Sequence, residues 1–283
     1  MQRSLPVLAV ALAVSLGAVP AARADPTVSA SELESVDGSL VVRAHERDLA
    51  ALETPTALGP DARMVFIGDS VGGNVAAGIA AEADRRGAGV EQSTRAGCAP
   101  IDGRPVKANG SLVGSALPCE AARPEWLASV AATPADAVLW LSTYDAGDRL
   151  VGGVLVDPAT PEGRVRTAEL VVAAADVVAP PRSGRRVVFL LEAPHLPGAA
   201  PSPATVQSVT DVQRHRAILH LVVRTDPDRF SILNLERFLC PAGPPCPAEP
   251  APGIQPRVPF NGHINPKGAA WLAPLILDAL GVT

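Results

Sequence analysis

The stretch Met64–Asn74, with the sequence MVFIGDSVGGN, decides the fold. Its first four residues are apolar, the run stops at Gly68, and a helical pattern extends from about Val71 to Arg86. A short apolar run that ends at a glycine is typical of a buried strand. We therefore predict a strand that leads, through a tight turn, directly into a helix.

The same alternation continues along the chain. Further strands are predicted at Ala137–Leu141, Arg186–Leu191 and Phe230–Asn234, and helices at Pro161–Val178, Ala204–Arg224 and Pro266–Leu280. Because the connection between parallel strands must cross over, usually as a helix, this order indicates a parallel sheet covered on both faces. The prediction is an α/β fold, a three-layer α/β/α sandwich. The Gly97–Pro124 and Pro241–Pro259 stretches are predicted to be surface loops.

Ser70 lies where the first predicted strand ends and the helix begins. Its hydroxyl is therefore expected at the carboxyl edge of the sheet, where open α/β folds bind ligands. The amides and dipole at the helix start can stabilise the negative charge that develops when a hydroxyl attacks an ester carbonyl. The alternative is that Ser70 is an ordinary helix cap.

His263 belongs to a second informative stretch, Arg257–Ala269, with the sequence RVPFNGHINPKGA. Asn265 and Pro266 form a good cap and first-turn pair, which predicts that His263 lies in a loop just before the last helix. An imidazole there could take the Ser70 proton. The alternative is that His263 is only a surface residue. We interpret the other candidates, His195, His215 and His220, as surface or core-edge residues.

Together these motifs resemble those of the SGNH hydrolase superfamily, or GDSL-like esterases. The resemblance is closest to the SGNH domains associated with bacterial cell-envelope acyltransferases, and it extends over Arg63–Leu280. Gly68–Ser70 looks like the first family block, which carries the nucleophile. His263–Ala269 looks like the last block, which carries the base. The resemblance implies a flavodoxin-like sheet order, with Ser70 attacking an O-acyl ester and His263 acting as general base and then acid.

Two weaker blocks complete the resemblance. Ala96–Cys98 is similar to the second block, which implies that the amides of Gly97 and Ser70 bind the oxyanion. Trp140–Asp145 is similar to the third block, but it lacks the asparagine that the family usually offers to the oxyanion. We leave that donor unassigned.

One departure from the family pattern concerns the residue that orients the histidine, which is the third member of a Ser-His-Asp catalytic triad. The family commonly has an aspartate three residues before the histidine, and here that position is Phe260, with Asn261 following it. Asn261 is therefore the candidate partner of His263. Loss of the carboxylate leaves the imidazolium less stabilised. The alternative hypothesis is a catalytically degenerate SGNH-fold binding or scaffolding protein.

Gly68–Gly72 also satisfies the G-x-S-x-G elbow of α/β-hydrolases. That fold places several strands before its nucleophile. Few residues precede Ser70 once a leader is removed, and they have little strand pattern. A serine after the first strand favours the SGNH arrangement.

Residues 1–24 have the pattern of a secretory signal: Arg3, an apolar run over Leu5–Val19, and small residues at Ala22 and Ala24. An uncleaved membrane anchor is the alternative, although the run is shorter than the roughly 20 residues that span a bilayer. We predict a signal at 1–24, an N-terminal extension at 25–62 and the SGNH hydrolase-like domain at 63–283. The protein is then secreted or held in the cell envelope, with no stable membrane span after signal removal.

The four cysteines suit an oxidising compartment. Their spacing favours two local disulfides, Cys98 with Cys119 and Cys240 with Cys246. A metal site is the alternative, but the spacing fits no zinc pattern, and no metal or other cofactor is predicted.

The net charge of the chain limits which classes of molecule it could bind. The chain has 24 Lys and Arg against 29 Asp and Glu, a formal net charge of -5. It lacks the positive field that binding to a phosphate backbone needs, so nucleic acid is not expected. The expected partner is a small-molecule or polysaccharide ester, with an O-linked acyl group on an envelope carbohydrate or lipid. Hydrolysis and acyl transfer stay open alternatives.

Overall fold

The structure, a computed structural model, describes residues 51–107, 109–194, 208–258 and 262–283. Its strands are β1 (Arg63–Gly68), β2 (Gly89–Thr94), β3 (Arg104–Pro105), β4 (Ala137–Leu141), β5 (Arg149–Val151), β6 (Val154–Val156), β7 (Arg186–Leu191) and β8 (Phe230–Asn234). Its helices are α1 (Ser70–Arg85), α2 (Ala116–Ala132), α3 (Pro161–Val178), α4 (Val209–Thr225), α5 (Glu236–Leu239) and α6 (Pro266–Ala279), with a 3-10 helix at Thr143–Ala146.

The main sheet has five parallel strands in the order β2-β1-β4-β7-β8. Successive side chains of a strand point to opposite faces. In β1, Val65 and Ile67 join the core under α2, α3 and α4, whereas Met64 and Phe66 join the core under α1 and α6. The prediction of a three-layer α/β/α sandwich with a central parallel sheet is confirmed.

Two elements of the sandwich differ from the sequence prediction. The sequence pattern predicts a loop throughout Gly97–Pro124, but α2 begins at Ala116 and continues through Pro124. Proline removes one hydrogen bond from a helix interior. Here the helix persists because Trp126, Leu127 and Val130 bury against the sheet, and such tertiary packing routinely overrides local propensity.

Strand β2 has no counterpart among the predicted strands. Its sequence, GVEQST, has no apolar run. It is an edge strand that, among the described strands, pairs only with β1, and all its side chains are exposed or half-buried. Backbone pairing, rather than burial of apolar side chains, therefore defines this strand. A second, smaller sheet is antiparallel and has the order β3-β5-β6.

The described part of the N-terminal segment, residues 51–62, belongs to the same compact unit as the rest of the domain. The Leu58 amide donates to the Leu280 carbonyl at 2.7 Å, and Arg186 donates to the Thr56 carbonyl at 3.2 Å. Glu53 lies 3.1 Å from His220 Nε2. Over the described ranges, no helix has the length and apolarity needed to cross a membrane.

His215 lies inside the core, not at the surface or core edge as the sequence interpretation had it; His195 lies outside the described residues. The His215 side chain is 3% exposed. Burial lowers the pKa of His215 to about 4 from its ordinary value of 6.5, and the nearby Arg149 guanidinium acts in the same direction. The imidazole is therefore neutral in the folded protein at neutral and mildly acidic pH.

This burial predicts a loss of stability in acid. Between pH 6.5 and 4 the unfolded chain binds a proton at residue 215 while the folded chain does not, so the free energy of unfolding falls as the pH falls. The contribution is on the order of 3 kcal/mol across this window. Denaturant unfolding at pH 7 and pH 4 should show a smaller acid-induced loss for His215→Gln than for the wild type. Equal losses for the two proteins would contradict the assignment.

Candidate active site

The Ser70 turn is built by the Asp69 side chain. Asp69 caps α1, and its Oδ1 accepts from the amides of Val71 at 2.8 Å and Gly72 at 3.4 Å. Ser70 is thus the first helical residue and not the cap, which is Asp69. Its half-buried hydroxyl lies at the carboxyl end of β1, the edge predicted from the sequence.

The other oxygen of Asp69 binds the loop that follows β4. Oδ2 accepts from the Thr143 amide at 2.6 Å, the Thr143 hydroxyl at 2.8 Å and the Tyr144 amide at 3.3 Å. The side chain is completely buried; burial raises the pKa of Asp69, and these hydrogen bonds act in the opposite direction. Asp69 therefore ties the Ser70 turn to the third sequence motif.

Gly68 allows β1 and β4 to approach closely at this point. A Cβ at Gly68 would lie 1.8 Å from the Leu141 carbonyl oxygen. Any side chain would push the end of β4 away from the Ser70 turn, so the first residue of the motif is fixed by packing. This contact gives a physical reason for glycine ahead of Asp69 and Ser70.

His263 meets Ser70 across the edge of the sheet. Its Nε2 lies 2.9 Å from Ser70 Oγ, although the two residues are 193 positions apart in sequence. Asn265 caps α6 by accepting from the Gly268 amide at 2.8 Å, and Pro266 occupies the first turn, as predicted. The His263 carbonyl accepts from the Val258 amide at 2.8 Å, which closes the loop that carries the imidazole.

An ion pair that the sequence analysis missed holds this loop against the sheet. Arg257 Nη1 donates to the Gly262 carbonyl at 2.8 Å, and Nη2 donates to Glu192 Oε1 at 2.7 Å and to the Ala193 carbonyl at 3.0 Å. Glu192 is 1% exposed and directly follows β7. Its position directly after a predicted buried strand could have indicated that Glu192 lies near the site, because the carboxyl ends of parallel strands meet at one edge of the sheet.

The second motif ends at a cysteine that forms a disulfide. Cys98 is bonded to Cys119, and Cys240 to Cys246, so both predicted pairings are formed. Gly97 has a φ of +70°, and its carbonyl accepts from the Ser115 hydroxyl at 2.6 Å. The Arg95 amide donates to the Gly68 carbonyl at 2.9 Å, which places this motif beside the Ser70 turn.

A buried polar cluster supports the third motif. Trp140 Nε1 donates to Asp145 Oδ2 at 2.6 Å, and the fully buried Arg149 donates to the carbonyls of Tyr144 and Asp145. Burial raises the pKa of Asp145 to about 7 and lowers that of Arg149 to about 10. These contacts fix the loop that supplies the Thr143 and Tyr144 amides to Asp69.

Phe260 and Asn261 lie outside the described residues. Phe260 stands where the family's aspartate is expected, and Asn261 is the candidate substitute for that carboxylate. Among the residues that are described, no group of three or more His, Cys, Asp or Glu side chains could hold a metal ion. The groups that the structure brings together for chemistry are thus the Ser70 hydroxyl and the His263 imidazole.

A parallel α/β sandwich with a serine after β1 and a histidine before the last helix defines a protein of the SGNH-hydrolase type. The family model described as "SGNH domain (fused to AT3 domains)" matches residues 43–278. The chain therefore belongs to the SGNH domain family. Comparison with curated proteins found no match.

Several solved structures are similar to this chain at low identity. The periplasmic domain of a lipopolysaccharide acetyltransferase from Salmonella ser. Paratyphi A is 12% identical with a TM-score of 0.46, over 85% of this chain and 96% of that one. Est24, a carbohydrate acetylesterase from Sinorhizobium meliloti, is 15% identical with a TM-score of 0.43, over 77% and 97%.

BT4096, a gut microbial diltiazem-metabolizing enzyme, is 13% identical with a TM-score of 0.45, over 81% of this chain. The match spans about half, 49%, of that enzyme's length.

The role of Asp69 predicts the effect of its amide substitution. In Asp69→Asn one acceptor oxygen becomes an NH2 group. The donors at the start of α1 or the donors of the loop after β4 then lose their acceptor. A buried donor left without an acceptor costs about 1–3 kcal/mol. Urea unfolding should show this loss, whereas Asp84→Asn, at an exposed site on α1, should stay within about 0.5 kcal/mol of the wild type. Equal stabilities of the two variants would contradict the role given to Asp69.

Proposed function

We propose that this protein is a secreted serine esterase that cleaves or transfers an O-linked acyl group through an acyl-serine intermediate. The single observation that carries the proposal is the 2.9 Å contact between Ser70 Oγ and His263 Nε2. A hydroxyl within hydrogen-bond reach of an imidazole is the arrangement that activates a serine nucleophile. Family membership supports the same class of chemistry.

In the first half-reaction His263 Nε2 takes the Ser70 proton as Oγ attacks the ester carbonyl carbon. The carbonyl π electrons move to oxygen, which becomes the oxyanion of a tetrahedral intermediate. We assign the amides of Ser70 and Gly97 to this oxygen, because Ser70 begins α1 and Gly97 lies in the neighbouring motif. Collapse of the intermediate breaks the bond to the alcohol, which leaves with the proton from the imidazolium.

In the second half-reaction an acceptor hydroxyl attacks the acyl-serine carbonyl. His263 takes the acceptor's proton and returns it to Ser70 Oγ as the acyl group leaves. Water as acceptor gives hydrolysis, and a sugar hydroxyl gives acyl transfer. The same two side chains perform both, so the acceptor alone separates an esterase from an acyltransferase.

The proposed substrate is an acyl ester on a carbohydrate or lipid of the cell envelope. The pattern of residues 1–24 favours export. Two disulfides support an oxidising location, because such bonds rarely persist in the cytosol. This location would bring the protein to envelope polysaccharides and lipids.

The second candidate function is a binding or scaffolding protein that keeps the fold without turnover. It rests on Phe260, which stands where the family commonly has an aspartate. The contact between Ser70 and His263 supports the enzyme instead, since a protein without turnover has no need to keep that hydrogen bond.

Removal of either side chain should abolish turnover. With p-nitrophenyl acetate as substrate, Ser70→Ala and His263→Ala should each lower kcat by at least about a thousandfold, and the double variant should be no slower than either one, because the two groups act as a unit. Ser111→Ala, at an exposed serine, is the matched control and should keep the wild-type rate. Equal rates for wild type and Ser70→Ala would instead favour the binding protein.

Arg257 holds the loop that carries His263, so its loss should lower kcat by displacing the imidazole. Arg257→Ala removes the bonds to Gly262, Glu192 and Ala193, and kcat should fall about 10- to 100-fold with little change in KM, because misplacement of a catalytic group slows chemistry. Arg257→Lys keeps a cation but loses the forked geometry, so it should recover part of the rate. An unchanged kcat in a folded Arg257→Ala protein would show that Arg257 plays no part.

Asn261 is proposed as the partner that orients His263 in place of the usual carboxylate. If the missing negative charge limits the rate, Asn261→Asp should raise kcat at neutral pH by about tenfold or more, because a carboxylate stabilises the imidazolium. The pH dependence of kcat should be measured for both proteins. An unchanged rate would mean that another group already orients the imidazole.

A further inference from the structure

A polar groove runs along the outer edge of the main sheet. Its volume is about 500 Å³, and it lies between the end of edge strand β2 and helix α2. The polar side chains that line it are Gln92, Ser93, Thr94, Arg95, Glu125 and Ser129. A cavity of several hundred Å³ is the size of small-ligand sites in proteins.

The groove begins beside the nucleophile turn. Thr94, at the end of β2, pairs with Gly68 in the sheet register, and the Arg95 amide donates to the Gly68 carbonyl at 2.9 Å. Gly68 is two residues before Ser70, and Arg95 is two residues before Gly97. A ligand in the groove would therefore lie next to both motifs assigned to the acyl chemistry.

Trp126 gives the groove a fixed wall. Its indole N–H donates to the Ser93 carbonyl at 2.8 Å and to Ser93 Oγ at 3.0 Å, and the side chain is only 3% exposed. The exposed Arg95 guanidinium lies 5.8 Å from the centre of the Trp126 ring. A cation over an aromatic face is attracted to it, which holds Arg95 near the rim.

The lining has the chemistry of a site for a neutral, hydroxyl-rich ligand. Gln92 and Ser129 both donate and accept, Arg95 only donates, and Glu125 only accepts. A sugar hydroxyl needs a donor and an acceptor at once, and such a mixture supplies both. The single cation and single anion balance, so the groove has no net attraction for a phosphate or another strongly charged group.

We propose that this groove binds the glycan part of the substrate, so that an acyl ester on a sugar hydroxyl reaches Ser70. The proposal rests on the proposed function and adds the substrate class: an O-acylated, uncharged oligosaccharide. The acyl carbonyl lies at Ser70, and the sugar units extend from there along β2 toward α2.

The experiment compares a glycan ester with a minimal ester. Hydrolysis of an O-acetylated oligosaccharide panel built on xylose, N-acetylglucosamine, galactose and mannose is measured beside that of p-nitrophenyl acetate, for wild type, Arg95→Ala, Gln92→Ala and Glu125→Ala. The groove variants should raise KM for the best glycan ester about tenfold or more and leave the rate on p-nitrophenyl acetate unchanged. Arg224→Ala, at an exposed arginine on α4, is the matched control and should change neither substrate.

Direct binding separates the groove from the catalytic proposal. The same oligosaccharides without their O-acetyl groups are titrated by calorimetry into Ser70→Ala protein with and without the groove substitutions. Weaker binding in the groove variants supports the site even if no ester is hydrolysed, in which case only the proposed function fails. Binding that is absent across the panel, or equal with and without the substitutions, overturns the glycan site even if p-nitrophenyl acetate is cleaved by Ser70.

Discussion

The hydrogen bond between Ser70 Oγ and His263 Nε2 is the contact on which the account depends. The parallel sheet makes it possible, because β1 delivers the serine and the loop before α6 delivers the histidine to the same carboxyl edge. Specific hydrogen bonds hold the segments that carry both side chains. Asp69 holds the serine turn through hydrogen bonds to α1 and to the loop after β4, and Arg257 holds the histidine loop through hydrogen bonds to residues that follow β7. The site is therefore a product of the whole sheet and not of one motif.

Buried charges do much of the positioning. Asp69, Glu192 and Arg149 are almost completely buried, and each is hydrogen-bonded to backbone groups or to an opposite charge. A buried charge without such partners is strongly unfavourable, so each of these residues has one well-defined arrangement. Their contacts tie three separate loops together at the sheet edge that carries Ser70. This constraint also explains why short sequence motifs lie at these loops, since the backbone there has to follow one path.

The sequence could predict the elements that are buried on both faces. Strands β4, β7 and β8 have continuous or nearly continuous apolar runs, and their bounds agree with the prediction. Strand β2 and helix α2 could not be found that way, because the first is a polar edge and the second contains Pro124. Ser70 and His263 were visible as motifs. The Arg257 and Glu192 pair was not, since it joins residues 65 positions apart whose contact depends on the packed sheet.

Covalent labelling of Ser70 tests the central claim most directly. A fluorophosphonate ester reacts only with a serine whose hydroxyl is activated, and peptide mass spectrometry identifies the labelled residue. A Ser70 hydroxyl activated by His263 should take one label per chain, located on Ser70, with a labelling rate that falls sharply in His263→Ala. A folded protein that takes no label, that is labelled at another serine, or that labels Ser70 equally fast without the imidazole would contradict it.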